Sequence, residues 1–349
     1  MQLKVLTFNL LYAGADNPAG SWSERLPLVL DVLRSGADVV ALQEATHVQL
    51  RDIEHALGGY GIVPGPESGE TRMPRVIQSA GSLLRRVTRR RQRGRHHAPP
   101  QQAADASPGR IVHAPAHPHP QHPHAPHAVH PAHPVAQYTY PYRRGEHCAI
   151  LYRTDRFEVA DENAFWLSHE PDVSGSVLPW SWLPRVVNWV CLREREGSHP
   201  AAASAAAARS VMVYNAHLDF LPWSPVRSAR ILRAALDAHW DGTPQILMGD
   251  FNAAPNSAAY RHLSRDLQHD AHPHAPHPPL MDAWLAAAQR EGPEGTYHGG
   301  TGRVRWMGRL DRILFRPDLE VERVATVTHQ SGSRFPSDHY PVLAELRMR

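Results

Sequence analysis

Short apolar runs alternate along this chain with segments whose apolar residues recur at every third or fourth position. The apolar runs predict β-strands at about 3–10, 38–43, 147–153, 186–193, 211–218, 244–249, 309–315, 320–328 and 340–347. The recurrent segments predict helices, one capped by Ser23, one ending at Gly58 and one starting at Ser224. The chain therefore contains many strands and few helices.

The order of these elements favours two packed sheets flanked by helices. A parallel, doubly wound sheet is the competing prediction. It is weakened because the strands at 147–153, 186–193 and 211–218 follow one another without an intervening helix.

Three low-complexity segments interrupt the pattern. The first, at about 67–141, contains Arg-rich and His/Pro-rich sequence. The second, at 198–208, is Ala-rich, and the third, at 268–279, is again rich in His and Pro. Repeated proline removes backbone donors, and few apolar residues are present to offset the entropy of ordering. We predict a single domain over 1–349, with these segments as insertions between core elements.

Composition narrows the functional classes. Of the 349 residues 42% are hydrophobic, which suffices for a sizeable core, and the net charge of +3 gives only a small basic excess. No secretion signal and no apolar stretch long enough to cross a bilayer is visible. We therefore expect a cytoplasmic monomer without a transmembrane segment.

Polar residues follow the predicted strands at the points where those strands end. Taken singly, each such motif is more often a turn or a structural residue than a catalyst. Together they offer what phosphoryl chemistry requires, namely oxygen ligands for Mg²⁺, a group that positions water, and donors to phosphate oxygens. The motifs are Thr7-Phe8-Asn9-Leu10, Leu42-Gln43-Glu44, His217-Leu218-Asp219, Gly249-Asp250-Phe251-Asn252, Arg309-Leu310-Asp311-Arg312-Ile313-Leu314 and Ser337-Asp338-His339.

This ordered set resembles the endonuclease/exonuclease/phosphatase superfamily, from residue 3 to about 346 with the insertions omitted. The resemblance is greatest to bacterial members of unassigned substrate. They share sequences similar to Phe165-Trp166-Leu167-Ser168 and Gly295-Thr296-Tyr297-His298-Gly299. It implies an α/β fold, a four-layer α/β/β/α sandwich of two packed mixed β-sheets flanked by helices.

The resemblance also implies a metal site. Glu44 would be the main ligand of Mg²⁺, or of Mn²⁺, with Asn9 beside it. Asp338 would support the metal site. Asp250 would position or deprotonate the attacking water, and would also contact the metal.

The resemblance assigns the remaining polar residues to phosphate binding and proton transfer. Asn252 would hold a phosphate oxygen, and His339 would be a catalytic imidazole oriented by Asp311. His217 would be a second imidazole, oriented by Glu146. Repair nucleases of the superfamily carry Tyr at the His217 position, so the histidine favours the deoxyribonuclease-I or sphingomyelinase branches.

Other residues are candidates for substrate contact. Arg185 is predicted to bind a substrate phosphate, with a surface arginine as the alternative. Tyr297 and His298 are predicted to line the mouth of the site, where an ordinary turn before a strand is the alternative.

The resulting functional hypothesis is a Mg²⁺-dependent phosphoesterase that uses direct water attack. No covalent intermediate is needed, because no activated Ser or Cys accompanies the motifs. A nucleic-acid phosphodiester is favoured as substrate. The alternatives are a sphingomyelinase-like or phosphoinositide-directed esterase, and a catalytically inactive member that binds phosphate-bearing partners.

Overall fold

The computed structural model describes residues 1–14, 19–68, 145–179, 181, 183–196, 209–220, 224–264, 277–305 and 308–349. Residues 1–70 and 142–349 form one compact unit, and a second unit, 71–141, lies outside the described residues. The predicted insertions at 67–141, 198–208 and 268–279 also fall almost wholly outside them, so the division of the chain into one domain with three insertions stays a prediction.

The described strands form two mixed sheets. Their bounds are β1 Gln2–Asn9, β2 Val39–Thr46, β3 Tyr60–Val63, β4 Glu146–Arg153, β5 Phe157–Trp166, β6 Val186–Glu194, β7 Ser210–His217, β8 Gln245–Asp250, β9 Met281–Asp282, β10 Gln289–Glu291, β11 Asp311–Phe315, β12 Leu319–Thr326 and β13 Val342–Met348. The first sheet has the order β10-β12-β13-β1-β2-β4-β3, and the second has the order β5-β6-β7-β8-β11-β9. Strands β1 and β2 are parallel, as are β7 and β8.

Helices cover the outer face of each sheet, and the last of the described helices contributes instead to the apolar cluster between the sheets. Their bounds are α1 Trp22–Leu33, α2 His47–Ala56, α3 Ser224–Ala238, α4 Ala258–Leu263 and α5 Ala283–Ala286. One apolar cluster lies between the sheets, a second packs α1 and α2 against the first sheet, and a third packs α3 and α4 against the second. The predicted four-layer α/β/β/α sandwich is confirmed.

Strand β1 shows why the central strands appear in the sequence as continuous apolar runs. Leu3 and Val5 face the other sheet, whereas Leu6 and Phe8 face the helices. Both faces of the strand are therefore buried, and no polar alternation is required. Burying each such side chain contributes about 1.5–3 kcal/mol.

Two local predictions are corrected. Helix α1 is capped by Ser21 and not by Ser23, because the side chains of Ser21 and Glu24 form a reciprocal capping box. Strand β5 was not predicted, since its middle carries the polar residues 161–163 and it forms an edge of its sheet. No helix in the described residues combines the length and the apolar character that crossing a bilayer requires.

Candidate active site

The polar motifs meet because the strands that carry them end at one edge of the sandwich. Asn9 is the last residue of β1, and His217 and Asp250 end the parallel strands β7 and β8 opposite one another. Asp311 begins the antiparallel strand β11 and also lies opposite Asp250. The Asn9 amide bridges the two sheets, since its Nδ2 donates to Asp250 Oδ2 at 3.0 Å and to Glu44 Oε1 at 3.0 Å.

A buried amide pair behind the site fixes the spacing of the sheets. Gln43 Nε2 donates to Asn215 Oδ1 at 2.7 Å. Asn215 Nδ2 in turn donates to the carbonyls of Leu42 and Ala149 at 2.9 and 2.8 Å. Both amides are fully buried, so a hydrophobic replacement of either would leave polar groups without partners. The sequence prediction did not include this pair.

Gly249 is required where β7 and β8 approach each other. Its φ of 150° lies in the region that L side chains rarely adopt, and a Cβ atom there would stand 1.9 Å from the carbonyl oxygen of Ala216. This close approach brings Asp250 beside His217, with 3.7 Å between Oδ2 and Nε2. The glycine of the Gly-Asp-Phe-Asn motif therefore positions the carboxylate.

Asp250 occupies the centre of the cluster. Its Oδ1 accepts from the backbone N–H of Asn252 at 2.9 Å, and its Oδ2 lies 3.9 Å from His339 Nε2. Burial, with repulsion from Asp311, raises the pKa of Asp250 to about 6. A carboxylate with that pKa can accept a proton near neutral pH.

His339 and Asp311 form a buried pair. The Nδ1–H of His339 donates to Asp311 Oδ2 at 2.7 Å. Burial alone would lower the pKa of His339, but Asp311, together with Asp250 and Asp338, holds it well above the usual value. The raised pKa favours the cationic form of His339, in which Nε2 also carries a hydrogen and faces Asp250.

Two hydroxyl groups hold this pair in place. Thr296 Oγ1 accepts from the backbone N–H of Asp311 at 3.1 Å. Ser337 Oγ donates to the Asn9 carbonyl at 2.7 Å and accepts from the His339 backbone N–H at 3.2 Å. Neither hydroxyl was among the predicted site residues.

His217, in contrast to His339, favours the neutral form. Asn252 Nδ2 donates to His217 Nε2 at 3.2 Å, which places the imidazole hydrogen on Nδ1. Burial, followed by the positive charges of Arg185 and His339, lowers the pKa of His217 well below its usual value. Asn252 adopts a positive φ of 45° and also donates to the Leu218 carbonyl at 2.9 Å.

The predicted orientation of His217 by Glu146 does not form. No hydrogen bond joins the two side chains in the described part of the chain, and the charged neighbours of Glu146 are Glu44 and Arg185. Burial and repulsion by Glu44 raise the pKa of Glu146 to about 7, against the pull of Arg185. Glu146 therefore belongs to the acidic side of the cluster and does not act as a partner of His217.

Glu44 sits at an irregularity of β2. The pairing of β2 with β4 shifts between Leu42 and Ala45, and Glu44 has a φ of 56°. Such backbone strain in a residue other than glycine costs about 1–3 kcal/mol and is concentrated at functional sites. The strained conformation aims the carboxylate into the site, where its Oε2 accepts from the backbone N–H of Tyr12 at 3.3 Å.

Arg25, which the sequence prediction did not include, holds two loops of the site together through hydrogen bonds. Its guanidinium donates to the carbonyls of Leu11 at 2.8 Å and Pro336 at 3.0 Å, and it also contacts the Leu10 carbonyl. The loop after Asn9 is thereby tied to the loop that precedes Asp338. An available signal was its position on the apolar face of α1, where a charged residue needs a partner.

The three predicted substrate contacts have different environments. Arg185 is 6% exposed, its Nε has no partner among the described residues, and its charge acts on Glu146 and His217. The Tyr297 ring packs 4.9 Å from the His339 ring, centroid to centroid, and is partly exposed. Arg185 and Tyr297 therefore adjoin the cluster, and their contact with a substrate stays a prediction.

His298 does not lie at the mouth of the site. It is fully buried, with its ring 4.2 Å from Tyr340 and 4.8 Å from Phe335, and burial lowers its pKa to about 4. A ring without exposed surface cannot contact a substrate there. The placement of His298 at the substrate mouth is therefore corrected to a packing position behind His339.

Residues 6–339 match the sequence profile described as the Endonuclease/Exonuclease/phosphatase family. The chain belongs to this family. Members of the endonuclease/exonuclease/phosphatase family hydrolyse phosphate esters, so the edge of the sandwich described above is the candidate active site of a phosphoesterase.

Solved structures and a curated relative agree with the family. An endonuclease/exonuclease/phosphatase from Bacteroides vulgatus has a TM-score of 0.68 at 19% identity, with 100% of both chains covered. Mannosyl-6-phosphatase from Bacteroides thetaiotaomicron has a TM-score of 0.65 at 22% identity, covering 99% of this chain and 100% of that one. These identities establish the fold alone.

The curated relative is similar over a shorter stretch. Carbon catabolite repressor protein 4 homolog 6 from Arabidopsis thaliana is 31% identical over 130 residues, which are 34% of this chain and 16% of that protein. The match therefore spans about a sixth of the relative's length.

The charges of the site fit a bound cation. Five carboxylates, from Glu44, Glu146, Asp250, Asp311 and Asp338, face the positive charges of Arg25, Arg185 and His339. A family member binds an anionic phosphate ester, and a net negative cluster would repel that substrate. A divalent cation bound among the carboxylates offsets their negative charge and removes this repulsion.

Two positions for the cation compete. Asp250, Asp311 and His339 each offer one ligand atom, all within 4.8 Å of one another. However, the Asp311–His339 hydrogen bond already occupies one atom of each residue, and a protonated imidazole cannot be a ligand. Glu44 accepts hydrogen bonds from neutral donors, the Asn9 amide and the Tyr12 backbone N–H, and its carboxylate oxygens keep lone pairs, so the Glu44 side fits the cation better.

We expect Mg²⁺ to stabilise the protein more at pH 8 than at pH 5. Burial and mutual repulsion raise the pKa values of Glu44, Glu146, Asp250 and Asp338, so the free protein favours their protonated forms. The stabilising contribution of these protonated carboxyl groups is fully present below the ordinary carboxyl pKa. It is lost as the pH rises through their raised pKa values, which are about 6 for Asp250 and about 7 for Glu146. Mg²⁺ binds the charged forms and restores stability.

Thermal unfolding with and without Mg²⁺ measures this difference. The midpoint should rise by roughly 3–6 °C at pH 8 and by much less at pH 5. The Glu44→Gln variant is the control, because it removes one charged ligand and should lose most of the pH 8 increase. Equal increases at the two pH values would contradict the account.

Proposed function

We propose that the chain is a Mg²⁺-dependent phosphodiesterase that cleaves nucleic acid by direct attack of water. The observation that carries the proposal is the position of Asp250. Its Oδ2 lies within 4 Å of His217, His339 and the Asn9 amide, and its pKa is raised to about 6. A proton acceptor beside a cationic imidazole suits the hydrolysis of a phosphate ester.

Glu44, Asn9 and Asp338 would hold the cation, with Asp250 as a further contact. Mg²⁺ is the first candidate because the ligands are oxygens, and Mn²⁺ accepts the same set. When bound, the ion polarises a phosphoryl oxygen and neutralises charge on it. Asn9 presents its amide nitrogen to Glu44 and Asp250, while its Oδ1 accepts from the Leu11 backbone N–H at 2.9 Å, so ligation by the amide oxygen requires a half-turn that breaks this bond.

The remaining residues would act on the phosphate and on protons. Asp250 accepts the proton of the attacking water, and the Nε2–H of His339 donates to a phosphate oxygen or to the leaving oxygen. Arg185 donates to the other phosphate oxygens, and Asn252 Nδ2 donates to phosphate in place of its hydrogen bond to His217 Nε2. His217, being neutral, accepts a hydrogen bond at Nε2 without adding charge. Asp311 orients His339 and stabilises its cationic form.

One observation favours lipid as a second candidate substrate. Val173 and Val177 are 51% and 44% exposed on the loop between β5 and β6, the same loop that leads to Arg185. Exposed apolar side chains on a loop beside a site are typical of contact with a membrane surface.

A substrate panel tests the proposal. The purified protein is incubated with bis-p-nitrophenyl phosphate, single-stranded DNA, plasmid, RNA, sphingomyelin vesicles and inositol phosphates, each with Mg²⁺ or with EDTA. We expect Mg²⁺-dependent hydrolysis of the small diester and of a nucleic acid. The double variant Glu44→Ala/His339→Ala should be inactive. Hydrolysis of sphingomyelin alone would replace the first candidate by the second, and binding without hydrolysis would indicate an inactive member.

A further inference from the structure

A loop beside His339 presents an arginine that the catalytic cluster does not use. Arg305 lies on the segment between Tyr297 and β11, and its guanidinium carbon stands 5.9 Å from the centroid of the Tyr297 ring. That ring packs 4.9 Å from the His339 ring. By these two distances, Arg305 lies within about 11 Å of the catalytic imidazole.

Three contacts hold Arg305 in this position. Its backbone N–H donates to the Tyr297 carbonyl at 2.9 Å, and its guanidinium lies over the tyrosine ring. The Arg305 side chain also packs over Gly299, whose φ is 62°. A Cβ atom on Gly299 would stand 2.8 Å from Arg305 Nε. The loop therefore leaves room at Gly299 for this side chain.

The guanidinium is exposed and carries an unneutralised charge. Among the residues that the structure describes, no carboxylate forms an ion pair with Arg305, although arginines elsewhere in the fold, such as Arg309 and Arg323, are paired. Stacking uses the face of the guanidinium and leaves its N–H edge available. That edge matches the oxygens of a phosphate.

We propose that Arg305 binds a second phosphate of a nucleic acid strand, beyond the phosphate that is cleaved. This inference rests on the proposed function and adds a residue that recognises the polynucleotide strand. A strand carries one phosphate per ~3.4 Å of helical rise, so the bound phosphate is up to about three nucleotides from the scissile one. A substrate with a single phosphate cannot reach both positions. Arg305 therefore distinguishes a polynucleotide from a small ester.

The test compares two substrates for the same variants. The substrates are a single-stranded DNA of about twelve nucleotides, long enough to span both positions, and bis-p-nitrophenyl phosphate, both with saturating Mg²⁺. For Arg305→Gln we expect KM for DNA to rise about tenfold, because a charge-assisted hydrogen bond is lost. The slope of log kcat/KM against log salt should become shallower by about one. Hydrolysis of the small diester should stay within about twofold of wild type.

Two further variants separate charge, geometry and folding. Arg305→Lys keeps the charge, so the salt slope should be retained while KM rises by only a few fold. Arg209→Gln is the matched control, since Arg209 is an exposed arginine without an ion pair among the described residues, and it precedes β7 at the end opposite His217. This variant should hydrolyse both substrates as wild type does. The thermal midpoint of every variant should equal that of wild type, because each altered side chain is exposed.

The outcomes distinguish this inference from the function on which it rests. Equal losses on both substrates, or no loss on DNA, would overturn the role of Arg305. A wild-type protein that cleaves the small diester but not DNA would overturn it together with nucleic acid as the proposed substrate, and the metal-dependent diesterase chemistry would still stand. A wild-type protein that hydrolyses neither substrate would overturn the proposed function itself.

Discussion

Replacing Asp250 with asparagine should lower kcat for bis-p-nitrophenyl phosphate by about 10³- to 10⁴-fold. The amide keeps the size of the side chain and can still accept from the Asn252 backbone N–H, but it cannot take a proton from water. It also weakens one contact to the cation. No other described carboxylate lies within 4 Å of both His217 and His339.

The control for this variant is Asp318→Asn, which makes the same change at an exposed carboxylate beyond β11. It should retain wild-type turnover. The thermal midpoint of metal-free Asp250→Asn should match or exceed that of wild type at pH 8, because the variant removes a buried carboxylate that Asp311 repels. A kcat within tenfold of wild type would remove Asp250 from the proposed mechanism.

Replacing Asp311 with asparagine should lower kcat by about 10³- to 10⁴-fold while KM changes little. The Asp311 carboxylate accepts from His339 Nδ1–H at 2.7 Å, orients the ring and stabilises the cationic imidazole that also carries a hydrogen on Nε2. An amide carries no charge, so it stabilises the cationic donor far less. Asp318→Asn again serves as the control.

The pH dependence of the Asp311→Asn variant provides a second readout. The cationic form of His339 is the donor, so activity is lost as the pH rises through the pKa of His339. Asp311 is the main group that raises this pKa, so its loss should move the alkaline limb of the rate profile to lower pH. An unshifted limb with wild-type turnover would refute the Asp311–His339 pairing.

The fold was predictable where strands are buried on both faces. Strands such as β1 and β8 appear as apolar runs, and the motif residues that end them mark the edge at which the site forms. Strand β5 was not predictable in this way, because an edge strand with a polar middle has no such signal. Elements of two or three residues, such as β9 and β10, depend on neighbours that are distant in sequence.

The candidate site was predictable as a set of residues but not as a set of pairs. Asp311 and His339 lie close together as the family resemblance implied, whereas Glu146 lies beside Glu44 and Arg185 and not against His217. Which carboxylate meets which imidazole depends on side-chain packing between two sheets. Sequence order does not encode that packing.

Residues that support the site gave weaker signals. Gln43 and Asn215 stand inside recognised motifs, but nothing in the sequence indicates that one amide bonds the other across the sheets. Arg25 gave a partial signal as a charge on an apolar helix face. His298 was misplaced because a histidine in a polar, glycine-rich segment resembles a ligand-binding residue, yet its ring packs against Phe335 and Tyr340.

The most direct test of the central claim is a crystal structure of the protein grown with Mn²⁺ and inorganic phosphate. The anomalous signal of Mn²⁺ locates the ion independently of its ligands. The account predicts the ion at about 2.1 Å from a Glu44 carboxylate oxygen, with phosphate oxygens bonded to His339 Nε2 and Asn252 Nδ2. An ion bound elsewhere, or a phosphate that does not contact His339, would contradict it.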